Sequence, residues 1–460
     1  MIFEQYYLDC LSQASYLIGD ETTGRAVVVD PRRDIDEYLR DAAAHGLRIE
    51  LVLETHFHAD FLSGHLELAE ATGAEIGFGS AARPEFPARA LRDGERINLG
   101  EVTLEIRETP GHTPESISIV VYERAGDEVP YGVLTGDTLF IGDVGRPDLL
   151  SSVGVTAEEL ARSLYVSVHD KLLSLPDETR VFPGHGAGSA CGKQLSTETV
   201  STIGEQRRSN YALAPMPVDD FVAAITEGQP SAPGYFAYDA GLNRRHRPLH
   251  DGSAPVPALT FAEVRRLRAE GAVLLDTREA AEFAAGHLHG SINVGLTGRF
   301  AEYAGSVIEP GTAIVLVCDP GTEGEARTRL ARIGFDHVVG HLAEPVRVML
   351  DHPTEVVRSS RITATELAAR LDAAVPVQLV DVRNRGELVG GRIEGALNIP
   401  MAELRTRMGE LDPSRPTVVT CAGGYRSIIA SSLLAANGFE DVSDLLGGYT
   451  AWASLVPSGS

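Results

Sequence analysis

The stretch Glu54-Thr55-His56-Phe57-His58-Ala59-Asp60-Phe61, ETHFHADF, decides how the first part of this chain folds. It follows the apolar run LVL at 51–53, which is typical of a buried strand that ends in a loop. Two imidazoles and a carboxylate alternate in it, and these groups suit Zn or Fe better than Mg or Ca. Phe61 stands where a further ligand could be expected, and its phenyl ring has no lone pair to donate.

Further ligand candidates follow along the chain, each beside a strand end or a turn. They are His112 in TPGHTPES, Asp137 in LTGDTLF, Asp143 in IGDVGRPD and His185 in FPGHGAG. The flanking glycines permit sharp turns, so that side chains from distant segments can converge. Short β-rich runs alternate with helical stretches around these motifs, which predicts an α/β fold with its chemistry at strand ends.

These motifs, in this order, resemble the metallo-β-lactamase superfamily over roughly residues 1–210. The resemblance implies an αββα sandwich with a metal site at one sheet edge. In that family a second histidine commonly ends the first motif and, with Asp60 and His185, holds a second metal ion. Because Phe61 replaces that histidine here, we expect a mononuclear centre.

The stretch GDTLFIGDVGRPDL at 136–149 resembles the persulfide dioxygenase branch of this superfamily. That resemblance implies one Fe(II) per chain, rather than Zn, with a facial triad that falls on His56, His112 and Asp137. Such a triad leaves coordination positions open, as a non-haem Fe(II) oxygenase needs. The side chains expected to surround and orient the ligands are those of His58, Asp60, Phe61 and His185.

The residues that bind the substrate are less constrained by the motifs. Arg146 is the candidate for binding a substrate carboxylate or the persulfide end, with a structural salt bridge as the alternative. Members that use glutathione are expected to have Asp-Tyr after the last histidine, whereas this chain has Gly186-Ala187. Glutathione, coenzyme A and another small thiol therefore stay open as carriers. Cys191 either exchanges sulfur with the substrate or fills space as a small buried side chain.

Residues 214–257 are rich in Pro, Gly and Ser and only weakly periodic, which predicts a C-terminal extension and linker. Two later segments resemble each other at a period of about 105 residues. They read AVLLDTREAAEFAAGHLHGSINV from Ala272 and VQLVDVRNRGELVGGRIEGALNIP from Val377, and each continues to an apolar strand that ends in a cysteine. The predicted domains span 1–245, with the extension from about 214, then 258–350 and 360–457.

The last segment resembles the rhodanese sulfurtransferases, which implies an α/β domain with a parallel sheet. In Cys421-Ala-Gly-Gly424-Tyr-Arg426, glycines allow backbone N–H groups to point inward at a helix N-terminus. This loop and Arg426 favour the thiolate and then the persulfide of Cys421. A cysteine phosphatase needs the longer form Cys-x5-Arg, which this loop lacks. The same rhodanese pattern includes Asp381 and Arg383.

The middle repeat resembles a degenerate rhodanese. Its loop, Cys318-Asp-Pro320-Gly-Thr-Glu323-Gly-Glu325, is acidic and has no arginine. Carboxylates repel a persulfide anion, and a proline offers no N–H group to bind one. We expect this repeat to be inactive, with Cys318 buried or incidental and His287 structural, and to act as a spacer and docking surface.

The composition limits the partners. The chain has 460 residues, with 65 Asp and Glu against 40 Lys and Arg, for a net charge of −25. This balance argues against nucleic acid or an anionic membrane as a partner. No basic segment followed by an apolar one opens the sequence, and no run reaches the ~18 apolar residues that span a bilayer, so we expect a cytoplasmic protein. In that compartment the four scattered cysteines are expected to be reduced thiols.

The order of the three segments resembles that of fusion proteins that detoxify sulfide. The implied reaction is the Fe(II)-dependent oxidation of a small persulfide by O2 to sulfite and thiol, coupled to sulfur transfer through Cys421 that forms or uses thiosulfate. The expected partners are persulfides, thiols, O2, sulfite and thiosulfate, and the resemblance suggests a homo-oligomer.

Two alternatives stay open. One is a zinc thioester hydrolase of glyoxalase II type with an appended sulfurtransferase, against which Phe61 argues. The other is a sulfur-relay or scaffold protein with a structural metal, against which the open, loop-borne ligand set argues.

Overall fold

The computed structural model describes residues 1–149 and 155–455. The described chain divides into two compact units. The first comprises Met1–Gln229, Phe236–Asp251 and Arg332–Gly334, and the second comprises the remaining described residues. The predicted end of the last domain, at residue 457, lies outside the described ranges. Within those ranges, no helix combines the length and the apolar character needed to cross a membrane.

Two six-stranded sheets form the centre of the first unit. The strands of the first sheet, in spatial order, are β1 (Ile2–Leu8), β2 (Gln13–Asp20), β3 (Arg25–Val29), β4 (Arg48–Leu53), β5 (Glu75–Gly79) and β6 (Arg89–Leu91). The second sheet has the order β12-β11-β10-β9-β8-β7, and its strands are β7 (Arg96–Asn98), β8 (Thr103–Glu108), β9 (Ile117–Tyr122), β10 (Gly132–Gly136), β11 (Arg180–Pro183) and β12 (Ser201–Thr202).

Helices cover the outer faces of both sheets. They are α1 (Asp36–Ala44), α2 (His65–Thr72), α3 (Ala157–Val166), α4 (Ile203–Ser209) and α5 (Val218–Thr226), and a sixth helix, α6 (Phe236–Asn243), follows them in the chain. Between the sheets, apolar side chains such as Val27 of β3 and Ile119 of β9 share one core. Neighbouring residues point to the opposite faces, where Val28 packs against α1 and Val120 packs against α3. The predicted αββα sandwich is confirmed, because both sheets are buried on both sides.

The segment expected to be a linker contains two of these helices. In α5, Phe221 and Ile225 lie one helical turn apart, and both are fully buried. At the end of α6, Asn243 donates from Nδ2 to the carbonyl oxygens of His58 and Phe61 at 2.8 and 2.9 Å. Two short helices between Pro- and Gly-rich turns give too few periods for a sequence pattern to reveal them. The consequence is that α6 is fixed to the ETHFHADF loop.

The second unit begins with the middle repeat, a five-stranded parallel sheet of order β13-β18-β17-β14-β16. Its elements, in chain order, are β13 (Ala258–Leu259), α7 (Phe261–Ala269), β14 (Val273–Asp276), α8 (Ala280–Ala285), β15 (His287–Leu288), β16 (Ile292–Asn293), α9 (Phe300–Val307), β17 (Ile314–Val317), α10 (Glu323–Ala331), β18 (Val338–Leu342) and α11 (Pro345–Asp351), followed by β19 (Val356–Val357), which pairs with β15.

The last repeat has the same architecture. Its elements are β20 (Ser360–Ile362), α12 (Ala364–Asp372), β21 (Gln378–Asp381), β22 (Leu397–Asn398), α13 (Met401–Arg407), β23 (Thr417–Thr420), α14 (Tyr425–Ala436), β24 (Val442–Leu445) and α15 (Gly448–Leu455). The parallel sheet order β20-β24-β23-β21-β22 matches that of the middle repeat position for position. The predicted internal repeat of α/β domains with parallel sheets is therefore confirmed.

A matched pair of leucines tests the core of the last repeat. Leu367 is fully buried in α12, whereas Leu397 is 40% exposed in β22. We expect Leu367→Ala to lower the free energy of unfolding by about 3 kcal/mol, because it leaves a cavity in the core. Leu397→Ala should lower it by less than about 1 kcal/mol. Trp452 of α15 is the only tryptophan in the chain, so its fluorescence in a urea titration reports on this repeat. Equal effects of the two substitutions would contradict the packing described.

Candidate metal centre and sulfur-transfer loop

Three predicted ligands converge at the carboxyl ends of strands in the first unit. His56 follows β4, His112 lies in the loop after β8, and Asp137 directly follows β10. The Nε2 atoms of His56 and His112 lie 3.9 and 3.5 Å from Oδ2 of Asp137. All three side chains are buried, and their potential ligand atoms lie within 4.8 Å of one another.

Hydrogen bonds behind the two histidines determine which nitrogen faces the centre. Thr55 donates its hydroxyl to Oδ2 of Asp30 at 2.8 Å, so its oxygen accepts from Nδ1 of His56 at 2.9 Å. In the same way, Nδ1 of His112 donates to the carbonyl oxygen of Arg146 at 2.8 Å. Both Nε2 atoms therefore present a lone pair toward Asp137. Burial and the neighbouring His58 hold the pKa of His56 well below its usual value, which keeps this imidazole neutral.

The free atoms of this group fit a metal ion. Among the described residues, neither Nε2 of His56 nor Oδ2 of Asp137 has a hydrogen-bond partner, although both atoms are buried. Leaving polar atoms unpaired in a core is costly unless something binds them. Two imidazole nitrogens and one carboxylate oxygen form a donor set that suits Fe(II) or Zn.

His185 joins two carboxylates beside the group. Its Nδ1 donates to Oδ1 of Asp137 at 2.8 Å, and its Nε2 donates to Oδ2 of Asp60 at 2.7 Å. Burial lowers the pKa of His185, but the attraction of Asp137 and Asp60 outweighs it and raises this pKa well above its usual value. The resulting imidazolium holds Oδ1 of Asp137, so that Oδ2 of Asp137 faces His56 and His112.

A second group of potential ligands consists of Asp60, His185 and Cys191. It differs from the first because carboxylates engage both nitrogens of its histidine. Cys191 is buried, and burial together with Asp60 and Asp137 raises the pKa of its thiol well above the usual value. Cys191 therefore lies buried inside the site, next to His185.

His58 points away from the first group. Its Nε2 lies 3.1 Å from Oδ1 of Asp30 and 3.2 Å from Oε2 of Glu54, and its ring lies 4.3 Å from that of Phe61. Burial opposes protonation, but the two carboxylates raise the pKa of His58 to about 10. Asp30, which orients both Thr55 and His58, was missed in the sequence. The sequence clue to Asp30 was its position at the end of the strand RAVVVD. In the structure its backbone has a φ of 51°, which a residue other than glycine rarely adopts.

Arg146 is buried, and a neighbouring carboxylate engages it. Its Nε and Nη2 donate to the two oxygens of Asp148 at 2.7 Å each, and its Nη1 donates to the carbonyl oxygen of Ala190. This geometry favours the structural salt bridge over the binding of a substrate anion. The loop also needs Gly145, because a Cβ there would overlap the carbonyl oxygen of Asp137. The GRPD motif thus supports the ligand loops.

In the second unit, Cys421 lies at the end of β23 under the N-terminus of α14. Its Sγ accepts from the backbone N–H of Gly424 at 3.1 Å and lies 3.6 Å from Oγ of Ser427. Gly424 has a φ of 99°, which lets the loop turn its N–H group toward the sulfur. The guanidinium of Arg426 makes two hydrogen bonds of 2.7 Å to Glu387, and it lies near enough to Cys421 for the two charges to interact.

Asp381 and Arg383 form a buried pair that recurs in the other repeat. Arg383 donates from Nε and Nη2 to the carboxylate of Asp381 at 3.1 and 2.7 Å, and Asn398 donates to the carbonyl oxygens of both residues. The middle repeat makes the same contacts with Asp276, Arg278 and Asn293. Because the arrangement also occurs where the active loop is lacking, it indicates a structural role for Asp381 and Arg383.

The loop of the middle repeat disfavours a thiolate. Cys318 is buried, and burial with the nearby Glu323 and Asp319 raises its pKa to about 11. His287 donates from Nδ1 to the carbonyl oxygen of Phe283 at 2.8 Å and stacks on its ring at 3.7 Å. Burial lowers the pKa of His287 to about 4, as expected for a neutral side chain that packs in the core.

The middle repeat nevertheless contacts the Cys421 loop within the second unit. Tyr425, next to Gly424, donates its hydroxyl to the carbonyl oxygen of Thr297 at 3.2 Å. Its ring packs edge-on against that of Tyr303 in α9, with 5.5 Å between the centroids. Asn293 donates its backbone N–H to Ser432 of α14 at 2.9 Å. The middle repeat therefore helps to hold the loop of the last one.

Known protein families match both units. The model of the metallo-β-lactamase superfamily matches residues 8–185, and that of the rhodanese-like domain matches residues 260–344 and 363–455. Among solved structures, a metallo-β-lactamase from Staphylococcus aureus subsp. aureus COL has a TM-score of 0.67 and 34% sequence identity. That match covers 74% of this chain and 98% of the other.

Curated relatives match the first unit. A β-lactamase hydrolase-like protein of Agrobacterium fabrum is 31% identical over 239 residues, 45% of this chain and 51% of that protein. The chain spans about half the length of the first curated relatives that it matches. The mitochondrial persulfide dioxygenase ETHE1 of Homo sapiens is 31% identical over 214 residues, 45% of this chain and 74% of that protein. In this chain a metallo-β-lactamase domain is thus followed by two rhodanese-like domains. The chain belongs to the metallo-β-lactamase superfamily and is a relative of the persulfide dioxygenases.

Proposed function

We propose that this chain oxidises a low-molecular-weight persulfide with O2 at one Fe(II) ion and carries sulfane sulfur on Cys421. The observation that supports the oxidation best is the convergence of His56, His112 and Asp137. These residues bring three potential ligand atoms close together, two of them buried without a hydrogen-bond partner among the described residues, while the protein engages their remaining polar atoms. The overall reaction balances as R–S–S⁻ + O2 + H2O → R–SH + SO3²⁻ + H⁺, in which O2 is reduced and the terminal sulfur is oxidised.

The protein's own groups prepare this site. A bound Fe(II) ion would supply the redox centre through which O2 oxidises the sulfur. Thr55 and the carbonyl of Arg146 hold the two imidazole rings, and His185 holds Asp137. Such outer contacts fix the tautomer and the direction of each ligand. The buried position of the group excludes bulk water and strengthens these polar contacts.

The sulfur-transfer step rests on the Cys421 loop. A persulfide on Cys421 would keep its charge near the N–H of Gly424 and the N-terminus of α14, both of which favour anions. Transfer to sulfite balances as Cys–S–S⁻ + SO3²⁻ → Cys–S⁻ + S2O3²⁻, and the reverse step loads the cysteine from thiosulfate. The acidic loop of the middle repeat offers no comparable place for an anion.

A zinc-dependent thioester hydrolase is the second candidate. Asp60, His185 and Cys191 offer a second set of potential ligands, as a two-metal hydrolase would need. Against it, carboxylates engage both nitrogens of His185, and Phe61 contributes no donor. These features support one metal ion and therefore the oxidation.

One experiment separates the two candidates. The full chain is purified anaerobically, its metal content is measured, and O2 uptake is followed with the persulfides of glutathione and coenzyme A. We expect about one Fe per chain, as a single facial triad would hold, with O2 uptake and sulfite release. Zinc with thioester cleavage and without O2 uptake would reject the dioxygenase in favour of the hydrolase.

Substitution of a ligand tests the triad. We expect Asp137→Asn and His112→Ala each to lose the bound metal and to lower O2 uptake by more than about 100-fold, because each removes one of only three ligands. His45→Ala, at a side chain that is 38% exposed just after α1, is the matched histidine control and should keep both properties. Metal analysis and an oxygen electrode report the two effects. Retention of metal by both ligand variants would place the ion elsewhere.

The two cysteine loops provide a second matched pair. We expect Cys421→Ser to lower thiosulfate-to-thiol sulfur transfer by about 10³-fold or more, since the sulfur carrier is gone. Sulfite release from added persulfide should continue. Cys318→Ser should leave both activities within about twofold, because its thiol is buried among carboxylates. Loss of sulfur transfer in Cys318→Ser would contradict the assignment of an inactive middle repeat.

A further inference from the structure

A cavity of about 290 Å³ lies against the two loops that carry the metal-ligand candidates in the first unit. One side is formed by Phe57 and Ala59 of the ETHFHADF loop and by Pro114 and Glu115, which follow His112 closely. Sites for small molecules usually hold roughly 300–1,000 Å³. This cavity therefore suits a small molecule, or the arm of a larger one, that binds beside the metal-ligand loops.

A further wall belongs to helix α6. Its residues Phe236, Ala237, Ala240 and Gly241 line the cavity, and their spacing puts them on one helical face. The helix is fixed by Asn243, whose side-chain amide binds the carbonyl oxygens of the ETHFHADF loop. The wall is thus a rigid, mostly apolar surface, and it lies outside the stretch that matches the superfamily.

Arg244 brings a positive charge to this cavity. Its guanidinium carbon lies 5.2 Å from the ring centroid of Phe57, and its carbonyl oxygen accepts from the N–H of Glu85 at 2.7 Å. Over residues 1–149 and 155–455, no ion pair links this guanidinium to a carboxylate. Glu115, the other charged group of the lining, uses Oε1 to accept from the backbone N–H of Phe57 at 3.0 Å. Arg244 differs in this respect from Arg146, which Asp148 engages through two hydrogen bonds.

We propose that this cavity holds the thiol carrier of the persulfide substrate and that Arg244 binds an anionic group, a carboxylate or a phosphate, on that carrier. The proposal rests on the proposed function, because it places the carrier beside the metal centre. The planar guanidinium matches both anions by paired N–H donors. In a chain with a net charge of −25, an available cation beside the site gives an anionic thiol a local point of attraction. Arg244 contacts the carrier and not the reacting sulfur, so it determines specificity and not the chemical step.

The test compares Arg244→Gln with Arg245→Gln, its exposed neighbour, in the full chain. The substrates are three persulfides whose thiol carriers differ in charge. Glutathione carries carboxylates, coenzyme A carries phosphates, and cysteamine carries no anionic group. We expect Arg244→Gln to raise KM for the anionic persulfides by about tenfold or more, the usual effect of a lost charged hydrogen bond. We expect kcat and the KM for cysteamine persulfide to change by less than twofold. Arg244→Lys, which keeps the charge but loses the paired donors, should retain part of the affinity, and Arg245→Gln should match the wild type.

Binding of the thiols themselves, followed by calorimetry, gives a readout that needs no turnover. A loss confined to glutathione assigns a carboxylate, and a loss confined to coenzyme A assigns a phosphate. The proposal would be overturned if Arg244→Gln left thiol binding and KM unchanged. It would also be overturned if the substitution weakened the binding of cysteamine equally, or if the wild type bound neither anionic thiol. A wild type that binds the thiols but takes up no O2 would instead reject the proposed function and leave the carrier site standing.

Discussion

The first unit depends on a buried group of titratable side chains, His56, His112 and Asp137. Hydrogen bonds from the surrounding protein engage the polar atoms of this group that point away from its centre. Thr55 lies behind His56, a backbone carbonyl lies behind His112, and His185 lies behind Asp137. Each contact uses the atom that points away from the centre, so the atoms left over face one another. Unpaired polar atoms in a core cost free energy, and a cation between them removes that cost. Binding of a metal ion by these residues would therefore stabilise the sandwich.

The two repeats of the second unit separate the requirements of the fold from those of the chemistry. Both use the same strand order and the same buried Asp–Arg–Asn contacts, so these features maintain the fold whether or not the loop is active. The loop after the strand in the middle of each sheet, β17 or β23, differs in its chemistry. Glycines there give Cys421 an N–H donor, whereas burial and the nearby carboxylates raise the pKa of Cys318. A substitution in the shared contacts should thus affect folding, and one in the loop should affect sulfur transfer.

The sequence predicted what motifs encode locally. His56, His112 and Asp137 could be found because each stands in a short pattern at a strand end, and the structure brings them together. The role of Arg146 could not be predicted, since the same GRPD motif is compatible with a free guanidinium or with one bound to Asp148. The neighbours of His58 were equally hidden, because Asp30 is 28 residues away and meets it only through the pairing of β3 with β4.

The extension after the sandwich shows most clearly which part of the site the sequence motifs could not predict. Its short helix α6 is bounded by Pro- and Gly-rich turns, so its sequence is typical of a linker, yet its small and aromatic residues form one wall of the cavity. On the proposed assignment, the loops that match the superfamily position the metal and the extension selects the thiol carrier. The ligand geometry tolerates little change, whereas a wall built outside it can vary without disturbing the ligands. Relatives with the same metal loops could then use different thiols, which explains why the motifs alone left the carrier open.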